Sequence, residues 1–106
     1  MVMKAYLEAM RDSIGLFGSG YRGRGDEAIA VIVGQGHDQA VEFAETIGKR
    51  VAALRCEHKG HALPGVTASI GVASAPPEPR TMDLENLADA RKRRAKEGGK
   101  NRVIAS

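Results

Sequence analysis

The sequence predicts an α/β sandwich, in which helices pack on a sheet. Two observations carry this prediction. Apolar residues make up 42% of the 106 residues, enough for the core of one small domain spanning residues 1–106. Their spacing alternates between helical periodicity and strand-like runs, in the order helix, strand, strand, helix, strand, helix, strand.

The first half of the chain predicts a helix and a hairpin. Apolar positions over residues 4–14 fit a helix better than a strand. Five glycines between residues 15 and 25 then interrupt any regular pattern. Residues 28–33 are all apolar and rich in β-branched side chains, which predicts a strand buried on both faces. A short strand near Tyr21 and Arg22 would pair with it through a turn.

The second half predicts a long helix followed by a loop. Asp38 is expected to cap a helix that reaches about Leu54, because apolar residues recur every three or four positions along it. Residues 55–65 are polar and contain two glycines and a proline. This composition predicts a loop.

The last third predicts a strand, a helix and a strand. Residues 66–74 form the strand, which ends before the prolines that follow. The helix begins at Asp83 and ends at Gly98-Gly99. Residues 102–105 form the final strand. The residues expected to face inward from the helix are Leu84, Leu87, Ala88 and Ala95.

Charge is unevenly distributed along the chain. Seven basic residues and one acidic residue lie between Arg91 and Arg102, so this segment carries +6, while the remaining 9 basic and 12 acidic residues give −3. Such a cluster indicates an anionic partner, which could be phosphates, nucleic acid or an acidic protein face. A solvated helix face explains the same pattern equally well.

Composition also bears on the cellular compartment. The single cysteine, Cys56, excludes an intramolecular disulfide framework and fits a reducing environment. No apolar run approaches the roughly 18 residues that a membrane span requires. Residues 1–10 lack a secretory apolar core. We therefore expect a cytoplasmic protein without a membrane partner.

The predicted hairpin turn carries Arg24-Gly25-Asp26-Glu27. Two adjacent carboxylates on a glycine-rich turn can hold Mg²⁺ beside a nucleotide phosphate, because hard oxygen ligands suit this ion and glycine lets backbone approach phosphates. An ordinary acidic turn has the same composition. The turn by itself favours the ordinary interpretation.

Two further patterns are weaker. Residues 18–23 read G-x-G-x-x-G, but a dinucleotide fingerprint opens a helix, whereas here a strand follows. Cys56, His58 and His61 could ligate a metal, yet no fourth ligand has the usual spacing. A solvated loop is the favoured interpretation of these three residues.

Three motifs in one order resemble the GGDEF domain of the diguanylate cyclase family. Residues 21–28, Tyr-Arg-Gly-Arg-Gly-Asp-Glu-Ala, resemble its signature turn, and residues 66–73, Val-Thr-Ala-Ser-Ile-Gly-Val-Ala, resemble one of its strands. Ala88-Asp89, Ala95-Lys96 and residues 99–103 resemble its closing helix and turn. The resemblance implies a ferredoxin-like, nucleotide-cyclase-type sheet with helices packed on it.

The resemblance also implies site residues. Asp26 would be the catalytic, metal-binding carboxylate, and Glu27 would support it. The substrate-binding residues would be Arg22, which also braces the turn, Gly25, Lys96 and Lys100. The implied reaction joins two GTP molecules into cyclic di-GMP with Mg²⁺, while metal and basic side chains stabilise the transferring phosphoryl group.

The chain departs from the family pattern at several points. Arg24 replaces the first glycine of the signature, and Ala28 replaces its phenylalanine. The family's product-inhibition motif, R-x-x-D, falls on glycines here, so this site is expected to be absent. In the last helix the residues 91–93, Arg-Lys-Arg, replace the family's Ala-Leu-Tyr. The family's first strand and guanine-binding helix have no counterpart in residues 1–11, which predicts a degenerate domain that is incomplete at its N-terminus.

Three functions remain open at this point. The favoured one is a GGDEF-like module in cyclic di-GMP signalling that is inactive alone and weakly binds GTP or another guanine nucleotide, or a partner protein. The second is an active diguanylate cyclase formed when copies assemble, since an absent central strand would leave unpaired edges that favour a dimer. The third, a small basic nucleic-acid-binding protein, is the least favoured.

Overall fold

The computed structural model describes residues 2–23, 27–54, 57–58, 61–62 and 67–106. Helices and strands alternate along them, which confirms the predicted α/β class. The elements are α1 (Val2–Ile14), a 3₁₀ turn (Gly15–Phe17), β1 (Gly18–Arg22), β2 (Ala28–Ile32), α2 (His37–Ala52), β3 (Glu57–His58), β4 (His61–Ala62), β5 (Ser69–Gly71), α3 (Leu84–Glu97) and β6 (Arg102–Ile104).

β1 and β2 form the predicted antiparallel hairpin. Gly18 lies opposite Ile32, and Arg22 lies opposite Ala28. The backbone N–H of Gly23 donates to the carbonyl of Glu27 over 2.9 Å, which closes the ladder next to the turn. The predicted pairing is confirmed up to this bond, and residues 24–26 lie outside the described residues.

The prediction that residues 28–33 are buried on both faces is wrong. Ala28 and Ile32 pack against the core, whereas Val31 and Val33 remain 46% and 72% exposed. Successive side chains of a strand point to opposite faces, and helix α1 contacts β2 from the core side. The strand is therefore apolar on both faces but only partly covered.

The core lies between α1, α2 and the strands. Its buried members are Met10, Ile14, Ile47, Val51 and Ala68. Ile14 and Val51 are the largest side chains that are fully buried among the described residues. The spacing predicted for α2 is confirmed, because Ala44, Ile47 and Val51 all point inward.

Helix α2 begins differently from the prediction that Asp38 caps it. The helix starts at His37, Gly36 occupies the capping position, and no side-chain cap is present there. Asp38 therefore lies inside the first turn, where its negative charge still interacts favourably with the positive end of the helix dipole. The prediction failed because the helix boundary lies two residues earlier than the sequence signal.

His37 also connects α2 to the far end of the chain. Its Nε2 donates to the carbonyl of Ala105 over 3.0 Å, so in the neutral ring Nδ1 accepts the hydroxyl hydrogen of Ser74 over 2.7 Å. One ring thus joins three segments and fixes the start of α2.

Helix α3 begins and ends as predicted. The carboxylate of Asp83 accepts the backbone N–H of Asn86 over 3.0 Å, which is a regular N-cap. The helix ends at Gly98, and Gly99, Lys100 and Asn101 all have positive φ in the turn that follows. Ala95 is fully buried, as expected of an inward position.

β5 and β6 pair in parallel, with Ser69 opposite Arg102 and Gly71 opposite Ile104. Residue 66 of the strand predicted over residues 66–74 lies outside the described residues, and within residues 67–74 only Ser69–Gly71 form a strand, because β6 offers three residues to pair with. The final strand predicted over residues 102–105 is confirmed.

The loop predicted over residues 55–65 contains a short strand pair. β3 and β4 are antiparallel, with His58 opposite His61. The sequence signal was too weak to identify strands of two residues. Cys56 lies outside the described residues, so the structure does not test the metal alternative.

Candidate functional site

The predicted signature residues flank the hairpin turn. Arg22 ends β1 and is exposed, and Glu27 immediately precedes β2. Gly25 and Asp26, which the resemblance assigns to substrate and metal, lie outside the described residues. Glu27 is therefore the signature carboxylate that the structure describes.

Glu27 is bound by a lysine of helix α3. Lys92 Nζ lies 2.5 Å from Glu27 Oε1 and 3.0 Å from Asp89 Oδ1. Asp89 Oδ2 in turn lies 3.5 Å from Arg93 Nε. The Lys92 side chain is 22% exposed, against 35% for Glu27 and 42% for Asp89. We call Glu27, Asp89, Lys92 and Arg93 the α3 charge cluster.

Two contacts hold α3 against β5, and Lys92 reaches Glu27 from this position. Gly71 lies directly against the backbone of α3, where a β-carbon would overlap the carbonyl oxygen of Ala88. Arg91 Nη1 donates to the carbonyl of Val72 over 2.7 Å at the end of β5. Asp89 and Lys92 are three residues apart and therefore share one helix face.

The cluster holds both of its central groups in their charged forms. Partial burial disfavours the ammonium of Lys92, but the hydrogen bonds that it donates to Glu27 and Asp89, together with their negative charges, outweigh this effect and raise the pKa of Lys92. The hydrogen bond from Lys92 lowers the pKa of Asp89, and the charges of Lys92 and Arg93 add to this effect against some desolvation.

Lys96 and Lys100, the predicted triphosphate ligands, lie beyond the cluster. Lys96 is one helical turn after Lys92, and Lys100 follows in the turn where its N–H donates to the carbonyl of Ala95. Both residues are exposed. Within the described part of the chain, neither ammonium forms an ion pair, so both can reach an anion in solution.

Much of the basic segment is engaged with the protein itself. Arg91 and Lys92 are half-buried in the contacts above, and Arg94 Nη1 donates to the carbonyl of Ser106 over 2.8 Å. Arg102 Nε donates to the carbonyl of Lys100 over 3.1 Å. These bonds give part of the segment a bracing role within the chain.

The partnership of Lys92 with Glu27 was not predicted from the sequence. A signal was present, since three basic residues replace an apolar stretch of the family's helix beside Asp89. Charged residues at half-buried helix positions need partners. Nothing in the sequence indicated that the partner lies 65 positions upstream.

The described side chains do not by themselves form a metal centre. Over residues 2–23, 27–54, 57–58, 61–62 and 67–106, no three His, Cys, Asp or Glu side chains cluster so that they could hold a metal ion. In the same ranges, no helix is both long and apolar enough to cross a membrane.

Comparison with known proteins identifies the fold independently. The family described as diguanylate cyclase, GGDEF domain, matches residues 1–102. This match begins upstream of Tyr21, where the first recognised motif starts. None of the curated proteins compared with the chain matches it.

Two solved structures share the fold. The coiled coil and GGDEF domain of DgcB from Caulobacter crescentus, in complex with c-di-GMP, has a TM-score of 0.85 at 21% identity, over 99% of this chain and 56% of that chain. Diguanylate cyclase SiaD from Pseudomonas aeruginosa, in complex with its activator SiaC, has a TM-score of 0.85 at 24% identity, over 99% of this chain and 40% of that chain. The present chain thus spans less than two thirds of either protein.

Proposed function

Because this chain belongs to the GGDEF domain family of diguanylate cyclases, we propose that it acts in cyclic di-GMP signalling as a phosphate-binding and interaction module that does not condense GTP alone. The observation that carries this proposal is the ion pair of Glu27 with Lys92, over 2.5 Å. A carboxylate already neutralised by an ammonium is a poor support for catalytic metal chemistry.

The cyclase reaction needs concentrated positive charge at the transferring phosphoryl group, which Mg²⁺ supplies when bound. By motif position Asp26 would hold this ion. Glu27, with Lys92 on its carboxylate, does not fit as a further ligand.

Binding of phosphate is supported by Lys96 and Lys100. Both are exposed and follow Lys92 along α3 and its terminal turn. A few charge contacts without recognition of the base predict millimolar to high-micromolar affinity for GTP or pyrophosphate, about −4 to −6 kcal/mol. We therefore propose that this end of α3 is the nucleotide-contacting surface.

Product analysis tests the absence of activity. The purified chain, incubated with GTP and Mg²⁺, should form no cyclic di-GMP above background in a chromatographic assay. Product formation that is abolished by Asp26→Asn would overturn the proposal, because it would place a working metal carboxylate in this chain.

Calorimetric titration with GTP tests the phosphate surface. Replacement of both Lys96 and Lys100 by alanine should remove binding. The matched control is the pair Lys49→Ala and Arg50→Ala, which removes the same charge from two exposed positions in the last turn of α2. Equal losses in the two double variants would indicate diffuse electrostatic attraction and contradict a defined surface.

Assembly of two copies into an active cyclase is the second candidate function. One observation favours association: an exposed apolar surface at the open end of the β1–β2 hairpin. It is formed by Leu16, Phe17, Val31 and Val33. Hydrophobic surface on a strand with an open edge favours pairing with a second chain.

Sedimentation equilibrium over a hundredfold dilution tests this second candidate. A dimer should persist at low micromolar concentration, and it should dissociate when Val31 and Val33 are both replaced by threonine. A stable, folded monomer of 11.3 kDa would exclude assembly as a route to activity.

A further inference from the structure

The ammonium of Lys92 is shared between two carboxylates from distant parts of the chain. It contacts Glu27, at the start of β2, and Asp89, one turn earlier on α3. The Lys92 side chain is half-buried. The ammonium therefore occupies the position between two carboxylates that a bound cation would take.

We infer that the Lys92 ammonium takes the place of a divalent cation on Glu27, so that the signature turn of this chain carries its own fixed cation and excludes Mg²⁺ from this carboxylate. The inference deepens the proposed function and rests on it only for identifying the turn as the place where the family's metal chemistry would occur.

The charges of the α3 charge cluster support the exclusion of Mg²⁺ from Glu27. Glu27 and Asp89 contribute two negative charges, and Lys92 and Arg93 contribute two positive ones, so the cluster is neutral. A divalent ion on Glu27 must displace the ammonium or lie beside it. Displacement breaks two ion pairs, and coexistence places like charges next to each other in a partly desolvated region.

The backbone packing at Lys92 makes it harder for a divalent ion to displace the ammonium. The amide nitrogen of Lys92 lies so close to Gly71 that a β-carbon on the glycine would clash with it. Arg91 fastens the same turn of α3 to Val72. These contacts hold this turn of α3 against β5, so a shift of the helix on β5 that made room for a hydrated ion would break them.

Binding of Mn²⁺, followed by its electron paramagnetic resonance signal without nucleotide, tests the inference. The native chain should bind little Mn²⁺ at millimolar concentration, whereas Lys92→Met should bind it at least tenfold more tightly. The matched control is Arg93→Met, which removes the same charge from the same helix but does not contact Glu27.

Each outcome of this titration is informative. A gain confined to Lys92→Met supports the inference. An equal gain of Mn²⁺ affinity in both variants would show that net charge alone controls binding. Equal Mn²⁺ affinities in all three chains, or no binding in any of them, would show that Lys92 does not exclude the ion. Any of these equal results overturns it.

A measurement on the native chain keeps the inference testable if Lys92→Met does not fold. Nitrogen-15 NMR should show the Lys92 ammonium signal unchanged when Mg²⁺ is added. A shift of this signal that saturates with Mg²⁺ overturns the inference. Neither experiment contains nucleotide, so failure here leaves the GTP titration of Lys96 and Lys100 as a separate test of the proposed function.

Discussion

Gly71 of β5 and Ala88 of α3 are in direct backbone contact, so that a β-carbon on Gly71 would overlap the carbonyl oxygen of Ala88. Strand and helix are therefore as close as two backbones can pack. This contact sets the depth at which α3 lies on the sheet, and hence the reach of Arg91 to Val72.

Replacement of Gly71 by alanine should destabilise the chain by about 1–3 kcal/mol, because α3 must shift to admit a methyl group. The matched control is Gly48→Ala in α2, where the new β-carbon meets only Ile70 Cδ1 at 3.8 Å. This control should be neutral or stabilising by about 0.5–1 kcal/mol. Urea unfolding followed by circular dichroism compares them, and equal midpoints would contradict the packing described.

Ile14 is fully buried in the core, whereas Leu16, two residues later, is fully exposed. Ile14→Ala should cost about 2–5 kcal/mol through lost burial and a cavity. Leu16→Ala should change the stability by no more than about 0.5 kcal/mol. Thermal and urea unfolding of both variants provide the measurement. A large effect at Leu16 would mean that this side chain is covered in solution.

The two helix starts differ in their caps, which allows a paired test. Asp83→Ala removes a side-chain cap and should cost about 0.5–2 kcal/mol. Asp38→Ala removes only a favourable charge in the first turn of α2 and should cost about 0.3–1 kcal/mol. Reversal of this order in chemical unfolding would show that Asp38 caps α2 after all.

The α3 charge cluster predicts a loss of stability in acid. The hydrogen bond from Lys92 lowers the pKa of Asp89 in the folded chain. A carboxyl group of this kind stabilises the fold above its unfolded pKa, and the contribution is lost as the pH falls through the folded pKa. Stability should therefore drop below about pH 4.

Asp89→Asn is the control for this acid effect. It removes the titrating group and should therefore weaken the dependence of stability on pH. Urea midpoints between pH 7 and pH 3 compare the two chains, and carbon-13 NMR of the Asp89 carboxyl follows its titration directly. A carboxyl that titrates at or above its ordinary pKa in the native chain would contradict the geometry of the cluster.

Local signals in the sequence were enough to predict much of this fold. The hairpin followed from glycines between two strand-like runs, and the bounds of α3 followed from Asp83 and Gly98, because caps act through atoms a few residues away. The predicted cap of α2 was wrong by two residues, which is within the usual uncertainty of helix boundaries.

The features that the sequence did not reveal depend on distant parts of the chain. Exposure of Val31 and Val33 depends on what covers the second face of β2, which no local pattern records. The pairing of Lys92 with Glu27 joins residues 65 positions apart. The family resemblance gave Glu27 a role but could not predict its partner, since Lys92 is one of the residues in which this chain departs from the family.

The strand pairs have a consequence for how the fold opens. Across the described residues, the hairpin of β1 and β2 shares no ladder with the pair of β5 and β6. Packing of α1 on α2 and the link from Glu27 to Lys92 join these two parts. Hydrogen exchange should therefore separate them into two cooperative units, with the amides of β1 and β2 exchanging through a partial unfolding that leaves the β5–β6 part intact. The Glu27–Lys92 ion pair is one of the contacts that this partial unfolding must break.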